Sequence, residues 1–344
     1  MSQPSPATQA SSPWPDAAVV AAMRALESDP GVRRALELLG QRGEEITDLQ
    51  VRFARIPSPD HRAAERADLL KRLLGETGLR DVRTDATGNV IAVLPGGTAG
   101  LPAVILSAHV DTVFPNLEHI EIERDGSILR GPGIADDAAG LAAVVHLVRA
   151  LRDASVPLRR DVVVVGTVGE EGEGDLRGVK HLFESEYVPA RVLAFLTLDL
   201  GGHQHVVNGG LGSRRLRVTA RGPGGHSWGD FGRPNPIHTL SRAVGFFLDA
   251  IPPGDARSTY NIGTIQGGSS VNAIPESACM HVDLRSESPA ALEELEQAFR
   301  DALDQAVERE RQWSRERAEE LHVVVEVIGD RPVGETPADS DLVR

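Results

Sequence analysis

Four consecutive valines, Val162-Val163-Val164-Val165, place the strongest constraint on what this chain can fold into. A strand with one solvated face alternates apolar and polar residues, whereas a run that is apolar at every position must be covered on both faces. Short apolar runs recur around it at Asn89–Leu94, Ala103–Val110 and Arg191–Leu200, and the valine run itself extends over Asp161–Val168. Between them, apolar residues fall at helical spacing over Gly31–Ile56, His61–Thr77, about Asp137–Arg152 and briefly near Lys180–Glu184. Pro57-Ser58-Pro59-Asp60 separates the first two helices, and a hairpin-like stretch surrounds Asp125-Gly126. The expected fold class is α/β, a mixed, largely parallel sheet covered by helices.

The pattern changes after Gly201-Gly202. Arg214–Ala220 and Ala278–Ser286 alternate as half-solvated strands do, with helices at Pro236–Ile251 and Pro289–Trp313, the second rich in Glu and Arg on a solvated face. This reads as an inserted α+β domain over residues 209–320, dividing a first domain of residues 17–208 from a return segment, 321–344, that opens with the apolar run His322–Ile328. Residues 1–16, rich in Ser, Pro, Ala and Gln, read as a flexible tail without the basic and apolar regions of a signal peptide. No run of eighteen apolar residues encodes a membrane span. Cys279 is the only cysteine, which excludes a disulfide framework, a cysteine-rich zinc site and a Cys-x-x-Cys redox pair. With 50 acidic against 36 basic residues, the net charge of −14 disfavours nucleic acid and anionic membranes as partners. The expected location is the cytoplasm.

Acids and histidines cluster where α/β sheets place their sites, beyond the carboxyl ends of the strands. Ala103–Val110 leads into His109-Val110-Asp111; at a strand's period of two, His109 and Asp111 share a face, so the carboxylate could orient the imidazole, or the pair could be purely structural. Gly131-Pro132-Gly133-Ile134-Ala135-Asp136-Asp137 sets two carboxylates before an apolar helix, which suits a helix cap or a cation. The valine strand runs into Glu170-Glu171, and the strand after it leads to Asp199. Adjacent carboxylates repel unless solvent, a proton or a cation separates them. Taken together, His109, Asp111, Asp136, Glu170, Glu171 and Asp199 form a thiolate-free donor set that suits one or two divalent ions, zinc first, with cobalt or manganese as substitutes. Metal-assisted hydrolysis of an amide follows naturally from such a set. No Gly-x-Ser-x-Gly elbow, complete dinucleotide fingerprint or phosphate loop competes with it.

The ordered motifs Ser107-Ala108-His109-Val110-Asp111-Thr112-Val113, Gly131 to Asp137, Thr167-Val168-Gly169-Glu170-Glu171-Gly172 and Gly224-Gly225-His226-Ser227 resemble those of the co-catalytic zinc exopeptidases and deacylases. That family includes peptidase T, glutamate carboxypeptidase, acetylornithine deacetylase and succinyl-diaminopimelate desuccinylase. The resemblance implies two zinc ions, with His109 and Asp199 on one, Glu171 on the other and Asp136 bridging both. It implies that Asp111 orients His109, that Glu170 is the general base and that the Asp136–Asp137 peptide is cis. The inserted domain becomes a lid that forms a homodimer. In it His226 stabilises an oxyanion, while Asn272 and Arg285 bind polar groups of a small peptide or N-acyl amino acid. The family's motif continues to a further histidine of the second zinc site, which the sequence up to Arg344 does not contain, so the second site is expected to be incomplete. The alternative reading is therefore a catalytically impaired or non-catalytic dimeric binding protein.

Overall fold

A computed structural model describes residues 17–59, 62–187, 189–199, 205–251 and 257–343; the expected tail, residues 1–16, lies outside the described residues. The chain divides into a unit spanning Val207–Thr336 and a first unit formed by the residues on either side. The first unit opens with helices α1 (Ala17–Ser28), α2 (Pro30–Gln41), α3 (Gly43–Ala54) and α4 (Ala64–Glu76). Strands β1 (Arg80–Thr84), β2 (Val90–Leu94) and β3 (Ala103–His109) follow, then the hairpin of β4 (Glu123–Asp125) and β5 (Ile128–Arg130). Helix α5 (Ala138–Asp153), strand β6 (Val162–Thr167), the short helix α6 (Arg177–His181) and strand β7 (Val192–Thr197) complete it. The helix expected over Gly31–Ile56 is two helices, broken at Arg42 between Gly40 and Gly43, where helix propensity is lowest.

The sheet runs β1-β2-β6-β3-β7, antiparallel at β1–β2 and β2–β6 and parallel at β6–β3 and β3–β7. Its interior strands explain the valine run. Val162 and Val164 pack with Val90, Ala92, Leu106 and Ala108 against Phe53, Leu70, Leu74, Leu141 and Val145 of the helices. Val163 and Val165 turn to the opposite layer with Ile91, Ile105 and Leu182. Val163, Val164 and Val165 are thus removed from water by one layer or the other and Val162 is partly covered, so no position of the run is left for a polar side chain.

The second unit carries β8 (Gly209–Gly210), β9 (Gly212–Arg221), β10 (Gly225–His226), α7 (Pro236–Ala250), β11 (Ser258–Gly267) and β12 (Ala273–Ile274). Strand β13 (Ser277–Ser286), helix α8 (Pro289–Trp313) and strands β14 (His322–Arg331) and β15 (Gly334–Glu335) complete it. Its main sheet is antiparallel throughout, in the order β11-β13-β9-β14. Leu216, Val218, Met280, Val282 and Leu284 face Phe247 of α7 and Phe299 of α8. The opposite face is polar and paired across strands, with Arg215 Nε 3.3 Å from Asp283 and Arg217 Nε 3.2 Å from His281. Asn235 and Ser288 cap α7 and α8, each followed by proline in the first turn. At the unit's boundary β8 pairs with β15, and the Thr336 N–H donates to the Asn208 carbonyl at 2.7 Å.

The last apolar run departs from its expected place. The run His322–Ile328 does not return to the first unit's sheet: β14 pairs along the length of β9, from His322 opposite Arg221 to Arg331 opposite Ser213. Its valines look like a doubly covered strand, but only one set packs. Val323 and Val325 lie against the α7–α8 core, while Val324 and Val327 are exposed at the sheet edge. No described helix is long and apolar enough to cross a membrane.

Gly166, at the end of β6, is required by close approach: a Cβ there would stand 2.2 Å from Leu70 Cδ2 and 3.2 Å from Val110 Cγ1. Gly166→Ala is expected to cost about 1–3 kcal/mol by urea denaturation. Combined with Leu70→Ala, the total loss should be smaller than the sum of the two single losses, because one substitution vacates the space the other fills. Strict additivity would refute the contact.

Candidate metal centre

The parallel pairing brings the carboxyl ends of β6, β3 and β7 to one sheet edge, with His109 opposite Thr167 and Ser107 opposite Thr197. Asp111, Glu170-Glu171 and Asp199 therefore leave the sheet at the same side. His109 is buried, at 2% exposure. Its Nδ1 lies 3.0 Å from the main-chain carbonyl of Asp111, and its Nε2 lies 2.7 Å from Asp136 Oδ1 and 3.8 Å from Asp199 Oδ1. A ring whose Nδ1–H is donated to a carbonyl turns Nε2 toward these carboxylates, an arrangement that needs a positive charge between them: a proton or a metal cation.

Two triads share this imidazole. His109, Asp136 and Asp199 have ligand atoms within 4.8 Å of one another, and so do His109, Glu170 and Glu171. Burial alone would pull the His109 pKa down, but the hydrogen bond with Asp136 and the charges of Asp137, Asp111 and Asp199 outweigh it and push it up to about 9. Burial, then the charges of Asp136 and Glu170, push Glu171 up to about 7. Burial also raises Asp199, opposed by His109. One imidazole nitrogen among several carboxylates, with no thiolate, is a donor set that fits a divalent ion.

The structure divides the sequence-predicted carboxylates by role. Asp111, fully buried, does not reach the imidazole with its carboxylate, which stands 3.9 Å from Nδ1. β3 ends at His109, so the strand's alternation no longer governs Asp111. Its main-chain carbonyl accepts the ring Nδ1–H, and its carboxylate accepts the N–H groups of Glu170 at 3.3 Å and Glu171 at 2.8 Å. Asp136 and Asp137 likewise separate. Asp137 caps α5 through the Gly140 N–H and accepts the His109 N–H at 2.8 Å, and burial pushes it up to about 8. Asp136 faces the imidazole, and the peptide between the two is cis.

Two side chains at the centre escaped the sequence reading. Ser58 receives the Thr112 N–H at its carbonyl and donates its hydroxyl to the Val110 carbonyl, fixing the segment that carries Asp111. Arg66 of α4 is fully buried, donates Nη2–H to the Ile56 carbonyl at 3.0 Å, and is drawn down to about 10 by burial, against the charges of Asp137, Asp111 and Asp136. The available signal was an arginine on the apolar stripe formed by Ala63, Ala67, Leu70 and Leu74. In the second unit, the β10–β12 pairing sets His226 beside Asn272, whose carbonyl accepts the Ser227 N–H at 3.0 Å. Arg285 lies on β13 with its Nε engaged by Asp283 at 2.7 Å.

The model of the peptidase family M20/M25/M40 matches residues 105–323, more than half of the chain. The chain belongs to peptidase family M20/M25/M40. The M20 match begins at Ile105 within β3 and ends at Val323 within β14, so it takes in His109, Asp136, Glu170, Glu171, Asp199 and His226. Among relatives, the protein is 27% identical to the uncharacterized protein YqjE of Bacillus subtilis, over 74% of this chain and 69% of that one. It is 30% identical to a protein of Ajellomyces dermatitidis named "Probable carboxypeptidase", over 66% of this chain and 55% of that one. It thus spans about half to two thirds of the length of these relatives. Its fold is similar to that of aminopeptidase PepT from Bacillus cereus, with a TM-score of 0.65 at 22% identity, covering 87% of this chain and 79% of that one.

The raised groups fix a pH dependence. Glu171 moves from 4.5 to about 7 and His109 from 6.5 to about 9, so without metal the folded state holds protons that the unfolded chain has released. The stability these groups contribute is present below their unfolded values and is lost as pH rises through the folded ones. The thermal midpoint of chelator-stripped protein is expected to fall between about pH 5 and about pH 9. With excess zinc it should instead rise from about pH 5 to about pH 7, because the ligands bind the ion deprotonated. A stripped protein that gains stability with rising pH would contradict this electrostatic account.

Proposed function

We propose that the protein is a metal-dependent hydrolase cleaving an amide bond of a small peptide or N-acyl amino acid, acting as an exopeptidase. The observation that carries the reading is the buried His109 Nε2 turned toward Asp136 and Asp199, with Glu170 and Glu171 completing a second triad on the same imidazole. His109, Asp136, Glu171 and Asp199 would hold two zinc ions, with Asp136 shared between them and cobalt or manganese as substitutes. Bound there, divalent ions supply Lewis acidity, lowering the pKa of water toward neutrality and polarising a carbonyl.

The remaining work falls to this chain's own side chains. Glu170 takes a proton from the attacking water as the new C–O bond forms, then delivers it to the departing nitrogen as the C–N bond breaks, leaving an amine and a carboxylic acid whose remaining proton is released to solvent. Asp111 positions Glu170 and Glu171 through their main-chain N–H groups. His226 donates a hydrogen bond to the oxyanion, and Asn272 and Arg285 bind substrate polar groups. For Arg285 that requires a substrate carboxylate to share the guanidinium with Asp283. A homodimer formed through the second unit, in the cytoplasm, completes the proposal; family membership and the carboxypeptidase relative support its peptide-bond chemistry.

Glu170→Gln is expected to keep its zinc and lose turnover of a dipeptide and N-acyl amino acid panel by about 10²–10⁴-fold. Wild-type turnover in that variant would remove the general-base role, and zinc-loaded wild-type protein inert across the panel would favour a binding function instead. Asp136→Ala should abolish zinc retention after dialysis; an unchanged zinc content would refute the shared ligand.

A further inference from the structure

The turn after β10 holds its histidine in an unusual way. His226 Nδ1 accepts two main-chain N–H groups, from Trp228 at 3.2 Å and from Gly229 at 3.3 Å. Main-chain amides can only donate, so Nδ1 must be the acceptor and the ring proton resides on Nε2. The turn is closed by one carboxylate. Asp230 Oδ2 accepts the His226 N–H at 2.6 Å, while the Asp230 N–H donates to the His226 carbonyl at 2.9 Å.

Asp230 is itself held from two sides. Its Oδ1 pairs with Arg233 Nη2 at 2.8 Å, and Arg233 is anchored by Glu316 and by the Gly224 carbonyl. On the other side lies Gly225, at φ +147°, where a Cβ would stand 2.7 Å from both Asp230 Cβ and Oδ2. A glycine at this position is therefore what admits the carboxylate to the turn.

We propose that Asp230 is a positioning residue whose carboxylate locks the 226–230 turn so that His226 presents Nε2–H as a fixed hydrogen-bond donor. An exposed loop histidine would otherwise exchange between tautomers and rotamers, and a donor serves a developing oxyanion only if its N–H is in place before charge develops. That consequence for turnover rests on the reading of His226 given above; the lock itself rests on the turn's own hydrogen bonds.

The test uses the 344-residue chain labelled with 15N in histidine and in the main chain, with the His226 ring signals assigned by their loss in His226→Gln. Wild type should show an acceptor-type Nδ1, a protonated Nε2 and slowed exchange at the Trp228 and Gly229 amides. Asp230→Ala should give a tautomer mixture and exchange at both amides faster by about 10-fold or more. Its kcat should fall by about 10-fold, with KM and zinc content little changed. Asp230→Asn, which keeps one oxygen for the His226 N–H but turns an amide donor toward Arg233, should fall between wild type and Asp230→Ala in tautomer content and amide exchange, and Gly225→Ala, which displaces the carboxylate from the other side, should reproduce Asp230→Ala. Wild-type ring shifts and amide exchange in Asp230→Ala would overturn the proposal. If the spectrum changes as expected while His226→Ala turns over like wild type, the lock stands and the oxyanion role of His226 fails.

Discussion

The first unit is organised around an excess of negative charge at one sheet edge. Asp111, Asp136, Asp137, Glu170, Glu171 and Asp199 gather about one buried imidazole, with Arg66 beneath. Like charges this close are costly unless something answers them. The backbone answers part of the demand: Asp111 takes the amides of Glu170 and Glu171, and Asp137 those of His109 and Gly140. Those two carboxylates are thereby committed to holding the framework. Asp136, Glu171 and Asp199 are turned instead toward His109, where a cation can discharge them.

The same division explains why the site was only partly legible in the sequence. His109, Asp136, Glu170, Glu171 and Asp199 could be found because each sits at a strand end or on a glycine-rich loop, and strand direction alone brings such positions together. The finer roles were not readable. Asp111 and Asp137 differ from their neighbours in which main-chain N–H they meet, and that depends on the path of the loops beyond the regular alternation of β3. Arg66 belongs to a helix whose apolar stripe was plain, yet its nearness to three aspartates is a tertiary fact.

The fold shows the same limit. The valine run of β6 and the alternation of β9 and β13 follow directly from whether one or two faces are covered. β14 misled because a β-branched edge strand with exposed Val324 and Val327 has the composition of an interior one. β1 and β11 passed unnoticed for the opposite reason: both are edge strands, mostly exposed, with too few buried positions to impose a period.

The short ladder between β8 and β15, reinforced by Asn208 and Thr336 bonding each other in both directions, has an architectural consequence. It fastens together the points at which the chain enters and leaves the second unit, at the spacing of paired strands, about 5 Å. Because the free energy of closing a chain segment depends on its ends and only weakly on what lies between them, the rest of the polypeptide meets this whole unit as though it were a tight turn. The unit is thus modular: its helices and sheet can diverge, lengthen or be exchanged without disturbing the strand register that assembles the acidic edge.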